Sequence, residues 1–290
     1  MSVTGDMQDF RVNKQAITRA FSRAAKTYTQ DSILSQEIIN RSMERLSYIK
    51  CHPAVIVDVG SGTGMAVADL QARFKNAMVI ALDIALPMLQ QPQPATCKLC
   101  ADAENLPFLS HSVDFLFANF TLPYLNDLPQ VFTEWARVLK PGGLLMLTTL
   151  GPESFIELRS SWAQVDDYTR THAFFDLHDI GDMLLKAGFK DPVLDVERIT
   201  LTYHTVDQLF CDLKSQGAIN VLNERCKGLT TPAKLAAVKN AYEVFRENGV
   251  LPATFEVTYA HAWGADLVRS MDETGEVRIP LSYLKYKGLA

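Results

Sequence analysis

The rhythm of apolar and polar positions changes once along the first part of the chain. Over residues 11–50, apolar side chains recur at helical spacing, as at Ile17, Phe21, Ala24, Ala25 and Tyr28, with few breakers between them. From Ala54 the pattern becomes short continuous apolar runs. Residues 54–59 form one such run and end in glycines, as a strand buried on both faces of a parallel sheet does. Similar runs cover 77–82, 96–99, 113–118 and 144–149, the last after the turn Lys140-Pro141-Gly142-Gly143. Helical patterns over 65–74 and 128–139 lie between them. Strands alternating with helices predict βαβ units, hence an α/β fold with a doubly wound, mostly parallel sheet.

The second half is less regular. A helix is predicted over 177–187, stopped by Gly188, and strands over 193–203 and 254–262. The helical stretch at 205–250 separates those two strands, and a long excursion of this kind is a natural lid over a substrate. The predicted organisation is therefore an N-terminal helical cap (1–50), a core (51–204 and 251–264), a helical insertion (205–250) and a C-terminal tail (265–290) without a readable pattern.

Candidate chemistry concentrates after the first strand. Gly60-Ser61-Gly62-Thr63-Gly64 leads from that strand into a helix, and glycines there let a ligand approach the backbone while free N–H groups face it. The spacing is G-x-G-x-G, not the G-x-G-x-x-G of dinucleotide enzymes, and Asp58 stands just before the first glycine. A pyrophosphate is repelled by a carboxylate at that place, whereas a ligand with an ammonium group is attracted. Asp83, followed by Ile84, ends the second strand where a carboxylate can accept from two ribose hydroxyls. Asp102 and Ala103 follow the third strand, where Asp102 can accept from an adenine amino group, and Asn119 ends the fourth. Each has a plainer alternative: a tight turn for the glycines, a helix cap for Asp83, a turn cap for Asp102.

Charge and composition alter the picture little. Of 290 residues, 48% are hydrophobic and 21% charged, with a net charge of −5, so a sizeable core is expected and a nucleic-acid protein is disfavoured. Residues 11–50 are the basic part of this acidic chain: Arg11, Lys14, Arg19, Arg23, Lys26, Arg41, Arg45 and Lys50 face only Asp31, Glu37 and Glu44. Five cysteines are too few for a disulfide framework, and Cys97-Lys98-Leu99-Cys100 lacks the second pair a metal site needs, so no metal is expected. No apolar run reaches membrane-span length, and no signal or transit segment opens the chain. A cytoplasmic setting is the expectation.

Together, D-V-G-S-G-T-G, A-L-D-I, A-D-A-E-N-L-P-F and L-K-P-G-G resemble the class I methyltransferases in order and spacing. That resemblance implies a Rossmann-like, seven-stranded sheet binding S-adenosylmethionine, with Asp58 near the methionine end, Asp83 on the ribose and Asp102 on the adenine. The outer segments R-A-F-S-R-A-A-K-T-Y (19–28), L-G-P-E-S-F-I-E-L-R (150–159), H-D-I-G-D (178–182), G-A-I-N (217–220) and L-P-A-T-F-E-V (251–257) resemble the malonyl-acyl-carrier-protein O-methyltransferases of biotin synthesis. This implies methylation of the free carboxylate of a malonyl thioester, which lets fatty-acid synthesis extend it toward pimeloyl. The basic residues Arg11, Lys14, Arg19, Arg23 and Lys26 would then dock the acidic carrier protein. The E-L-R and P-A-T segments also resemble complex I assembly factors, which implies action on a protein arginine as the alternative. The family's leucine-glutamine-tryptophan-like stretch after Asn119 is here Thr121-Leu122-Pro123-Tyr124-Leu125, which leaves a different acyl substrate open.

A carboxylate acceptor is already ionised near neutral pH, since carboxyl pKa values lie near ~4, and needs no general base. It needs alignment and partial loss of water. Arg159, whose guanidinium can grip a carboxylate, is the expected orienter, with a structural ion pair as the alternative. Tyr28 is expected to close over the cofactor's methionine end, with a plain core role as the alternative. One of His172 and His178 is a candidate for the substrate pocket.

Overall fold

The structure is a computed structural model that describes residues 11–92, 94, 97–172, 174–226 and 228–265. In chain order the elements are α1 (Lys14–Ala24), α2 (Tyr28–Asp31), α3 (Ile33–Leu46), β1 (Val55–Val59), α4 (Val67–Arg73), β2 (Met78–Asp83), α5 (Leu86–Leu89), β3 (Cys97–Cys100), β4 (Val113–Asn119), α6 (Leu128–Val138), β5 (Leu139–Leu150), α7 (Ile156–Ala163), α8 (Leu177–Lys186), β6 (Lys190–Tyr203), α9 (Val206–Ser215), α10 (Pro232–Tyr242) and β7 (Leu251–Trp263). Thr96, the first residue of the predicted third strand, and nearly all of the tail from 265 lie outside the described residues.

The seven strands form one sheet in the order β3-β2-β1-β4-β5-β7-β6, with β7 antiparallel to both neighbours. The order reverses between β1 and β4, and in open α/β sheets ligands bind beyond the strand ends at that switch. Central strands are apolar throughout because both faces are covered: Ile56, Val57 and Val59 of β1 and Phe115, Leu116 and Phe117 of β4 are fully buried. On one face pack Phe132 and Trp135 of α6 and Ile180 and Leu184 of α8. On the other pack Ile39 and Leu46 of α3 and Val67 and Leu70 of α4. In α6, Leu128, Val131, Phe132, Trp135 and Val138 form the buried stripe, and Asp127 caps its start by accepting from the Gln130 amide at 3.2 Å. Trp135 Nε1 donates to the Ala103 carbonyl at 2.9 Å and so pins the loop after β3.

Three strands, β5, β6 and β7, are longer than their patterns predict. β5 begins at Leu139, because Gly142 and Gly143 exchange backbone hydrogen bonds with Gly264 at 2.9 and 2.8 Å. β6 begins at Lys190, where a register shift before Val193 absorbs Pro192 on an edge strand. The insertion between β6 and β7 carries α9 and α10. A third apolar cluster fastens it, joining Leu34 and Ile38 of α3, Leu158 of α7, Val206 and Leu209 of α9 and Tyr242 of α10 to β7. No helix among the described residues is long and apolar enough to cross a membrane.

Candidate active site

The glycine loop owes its shape to backbone conformations that disfavour side chains. Gly60, Gly62 and Gly64 have φ of 71°, 57° and 77°. A Cβ on Gly60 would lie 2.4 Å from Thr121 Oγ1, and one on Gly62 would lie 3.4 Å from the Tyr28 ring. The loop is held from below. Ser61 Oγ donates to Asp58 Oδ2 at 2.7 Å and the Ser61 amide to the Leu82 carbonyl at 2.9 Å. The Gly62 amide donates to Asp83 Oδ2 at 2.9 Å, and the Ala85 amide to Asp83 Oδ1 at 2.7 Å. Thr121 Oγ1 donates to the Val59 carbonyl at 2.8 Å, tying the β4 loop to β1 across the switch point.

Asp58 and Asp83 are both buried, and no cationic side chain among the described residues pairs with either. Burial pushes the Asp58 carboxyl up to about 7, with the Ser61 hydrogen bond acting downward and Asp83 upward. Burial also raises Asp83, against the downward pull of its backbone donors. A buried carboxylate without a paired cation favours a positively charged ligand beside it.

A cavity crosses the carboxyl edge of the sheet. Asp102 and Ala103 (after β3), Asp83 and Ile84 (after β2), and Gly60 and Gly62 (after β1) line one side. Phe120, Leu150 and Phe255, from the β4 loop, β5 and β7, continue the wall, and Phe155, Leu158, Arg170 and Phe174 complete it. Phe120 and Phe155 hold left-handed backbones with φ of 54° and 59°, an uncommon conformation for a bulky residue and one that collects at working sites. The roof comes from α1, from Tyr28 and from residues 213–220 at and beyond the end of α9. Backbone bonds join these pieces: the Asn13 amide donates to the Val221 carbonyl and the Asn223 amide to the Arg11 carbonyl, both at 2.8 Å. Burial raises the Tyr28 phenol above its ordinary value. His172 Nδ1 lies 3.0 Å from the Pro123 carbonyl and its Nε2 is 3.4 Å from the Val221 amide, so the neutral ring bridges two loops, and burial lowers its pKa. Tyr124 packs edge-on between Phe21 (4.9 Å) and His172 (5.5 Å).

Of the residues expected from sequence, Tyr28, Gly60, Gly62, Asp83, Ile84, Asp102 and Ala103 line the cavity, while Asp58, Ser61 and Gly64 form its floor structure. Three expectations need correction. Asn119 turns away: Thr148 Oγ1 donates to its Oδ1 at 2.6 Å, and Phe120 and Thr121 take its place on the wall. Arg159 does not line the cavity, because its guanidinium folds back to donate to the Pro152 carbonyl. Lys14 is withdrawn from the basic surface by Asp102 at 2.9 Å and Glu104 at 2.7 Å, whereas Arg11, Arg19, Arg23 and Lys26 are exposed. Of the two histidines, His172 reaches the cavity and His178 does not. Arg170, Phe120 and Phe174 had no signal in the sequence: no motif or period marks residues 165–176, and a left-handed phenylalanine is invisible to composition. The five cysteines are free, and no cluster of three or more His, Cys, Asp or Glu among the described residues is placed to hold a metal.

Residues 57–147 match the family model of a methyltransferase domain. A malonyl-acyl-carrier-protein O-methyltransferase of Gallionella capsiferriformans (strain ES-2) is 44% identical over 269 residues, covering 89% of this chain and 93% of that protein. The protein of the same name from Methylovorus sp. (strain MP688) is 43% identical over 266 residues, covering 88% and 90%. Among solved structures, phosphoethanolamine N-methyltransferase 2 of Haemonchus contortus, in complex with phosphomonomethylethanolamine and S-adenosylhomocysteine, superposes with a TM-score of 0.51 at 18% identity, covering 85% of this chain and 61% of that one, which bears on the fold alone.

Proposed function

The chain belongs to the malonyl-acyl-carrier-protein O-methyltransferases, and from that membership we propose that it methylates the free carboxylate of a malonyl thioester carried on acyl carrier protein, in the cytoplasm, producing the methyl ester that enters pimeloyl and biotin synthesis. The observation that carries this reading is the two-sided cavity, acidic beside β1 to β3 and phenylalanine-walled beside β4 to β7. S-adenosylmethionine fits the acidic side. Its α-ammonium group would meet the buried charge of Asp58, which has no cation of its own. Asp83 would take the ribose hydroxyls, since each of its oxygens accepts one backbone bond and keeps a lone pair. The Gly62 cradle, which a Cβ would fill against Tyr28, would admit the methionine end, and Asp102 with Ala103 would flank the adenine. When bound, the cofactor supplies an electrophilic methyl group on a sulfonium.

The chain's own residues align the acceptor and remove water from it. Phe120, Phe155, Phe174 and Phe255 supply an apolar wall in which a carboxylate loses part of its hydration and becomes more reactive. No proton has to move, which agrees with a histidine at the wall whose two nitrogens are already engaged by Pro123 and Val221. Tyr28 closes the roof over the Gly62 cradle. Arg11, Arg19, Arg23 and Lys26 form the basic surface offered to the acidic carrier protein.

The reading is tested by following S-adenosylhomocysteine release with malonyl-acyl carrier protein and with acetyl-acyl carrier protein. Release with the malonyl form alone is expected. Equal release with both, or with neither while cofactor binding persists, rejects it. In the last case an arginine-containing protein or another acyl chain becomes the acceptor to seek.

A further inference from the structure

The cavity carries two cations, and they differ in how much charge is left over. Lys14 sits between Asp102 and Glu104 and is neutralised. Arg170 sits on the phenylalanine side. Its Nε and Nη2 both donate to Asp166, a nearly buried carboxylate, and among the described residues no hydrogen bond from Nη1 is recorded. Asp166 also accepts from Lys234 Nζ at 3.0 Å, so two cations share one carboxylate and the cluster keeps a net positive charge. The pairing holds Asp166 ionised, at about 2, with Arg170 as the largest cause. Beneath the guanidinium lies the Trp162 ring, with its centroid 4.3 Å away. Fork and ring together fix the plane of the guanidinium before any ligand arrives, so little side-chain entropy is lost on binding.

From this geometry we infer that Arg170, held by Asp166, Lys234 and Trp162, is the substrate-binding residue that receives the free carboxylate of the acyl substrate and selects for it. The inference rests on the functional reading above and deepens it. Nη1 is the donor available to the ligand. An acyl thioester without a terminal carboxylate leaves the Arg170 Nη1 donor without its anionic partner beside an apolar wall, which disfavours it. The role expected of Arg159 from sequence falls to a residue eleven positions later, because α7 turns Arg159 away from the cavity.

The test compares Arg170→Ala and Arg170→Lys with the wild type on malonyl-acyl carrier protein, with S-adenosylhomocysteine affinity measured by calorimetry alongside. Arg170→Ala is expected to raise KM by about 100-fold, the scale for losing a desolvated charge contact, and to keep cofactor affinity within about twofold. Added guanidinium ion is expected to restore part of the lost activity, and potassium at equal ionic strength none; a purely structural role would not give that difference. Arg170→Lys keeps a partner for Asp166 and is expected to raise KM by about tenfold, which carries the test should the alanine variant fail to fold. The wild type is also expected to bind the malonyl carrier at least about tenfold better than the acetyl carrier, a preference that Arg170→Ala erases. A kcat/KM within about threefold of wild type, or cofactor affinity falling in step with turnover, overturns the inference. Wild-type protein inert toward malonyl-acyl carrier protein removes the functional reading itself, a result distinct from an active wild type with an equally active variant.

Discussion

At the scale of single residues, the site turns on groups that the fold leaves incomplete. Gly62 has a left-handed backbone under the Tyr28 ring, so Gly62→Val adds strain and bulk where the cofactor would enter. Loss of S-adenosylhomocysteine binding by at least about 100-fold is expected in calorimetry, with the melting transition still cooperative; unchanged affinity would refute the assigned loop. Asp58 gives a pH signature. Its folded-state value of about 7 stands above the ordinary 3.8, so its contribution favours folding of the ligand-free protein at low pH and is lost as pH rises toward and through about 7. Asp58→Asn is therefore expected to raise the ligand-free melting temperature at about pH 8 by roughly 5 °C while weakening cofactor binding. Cofactor affinity of the wild type should fall as pH drops below about 7, because the ammonium requires the ionised carboxylate and binding then releases a proton. An affinity flat between about pH 6 and about pH 8 contradicts the assignment.

At the scale of elements, two segments that looked like functional signatures are halves of one clasp. Buried Glu157 of α7 accepts from the Thr254 amide at 3.0 Å and from the Thr254 hydroxyl. The E-L-R and P-A-T segments thus meet each other and tie α7 to β7. The neighbouring G-P-E-S-F turn is shaped by the same strand: the Gly151 amide donates to the Glu256 carbonyl at 2.8 Å, and the Glu153 amide to Glu256 Oε2 at 2.6 Å. Glu157→Ala strands two half-buried donors of Thr254 and is expected to cost about 1–3 kcal/mol, read as a lower denaturant midpoint, with kcat per folded molecule nearly retained. A variant that keeps its stability but loses turnover would move Glu157 into the chemistry.

Legibility in the sequence divides along physical lines. The core strands and the amphipathic α6 were readable because burial on two faces or on one stripe writes a period into the chain. The cavity residues after β1, β2 and β3 were readable because glycine spacing and strand-end carboxylates are local features. The phenylalanine side of the cavity was not, because its walls are assembled across distance: Phe120 from the β4 loop, Phe155 before α7, Phe255 from β7 and Arg170 from an irregular stretch. Position along the chain placed Arg159 close to the site, and the direction of its side chain took it away.

At the scale of the whole molecule, α1, Tyr28 and residues 213–220 cover the cavity together. Thr27 Oγ1 donates to the Ser215 carbonyl at 3.1 Å, and Val12 bridges to Leu222, so the roof joins segments far apart in the chain. Its outer surface bears Arg11, Arg19, Arg23 and Lys26 on a chain of net charge −5. A triple replacement of Arg19, Arg23 and Lys26 by Glu is expected to raise KM for the carrier protein by about tenfold or more and to reduce its salt dependence, leaving cofactor affinity unchanged. An unaltered KM would put the carrier protein on another face.

The fate of a labelled methyl group tests carboxylate methylation most directly. Purified protein is incubated with methyl-labelled S-adenosylmethionine and malonyl-acyl carrier protein, and the carrier is isolated and treated with mild base. Label is expected on the acyl chain, released by base as methanol, and none when the acyl chain lacks a free carboxylate. Label held stably on a protein side chain, or no transfer by protein that still binds cofactor, would contradict carboxylate methylation.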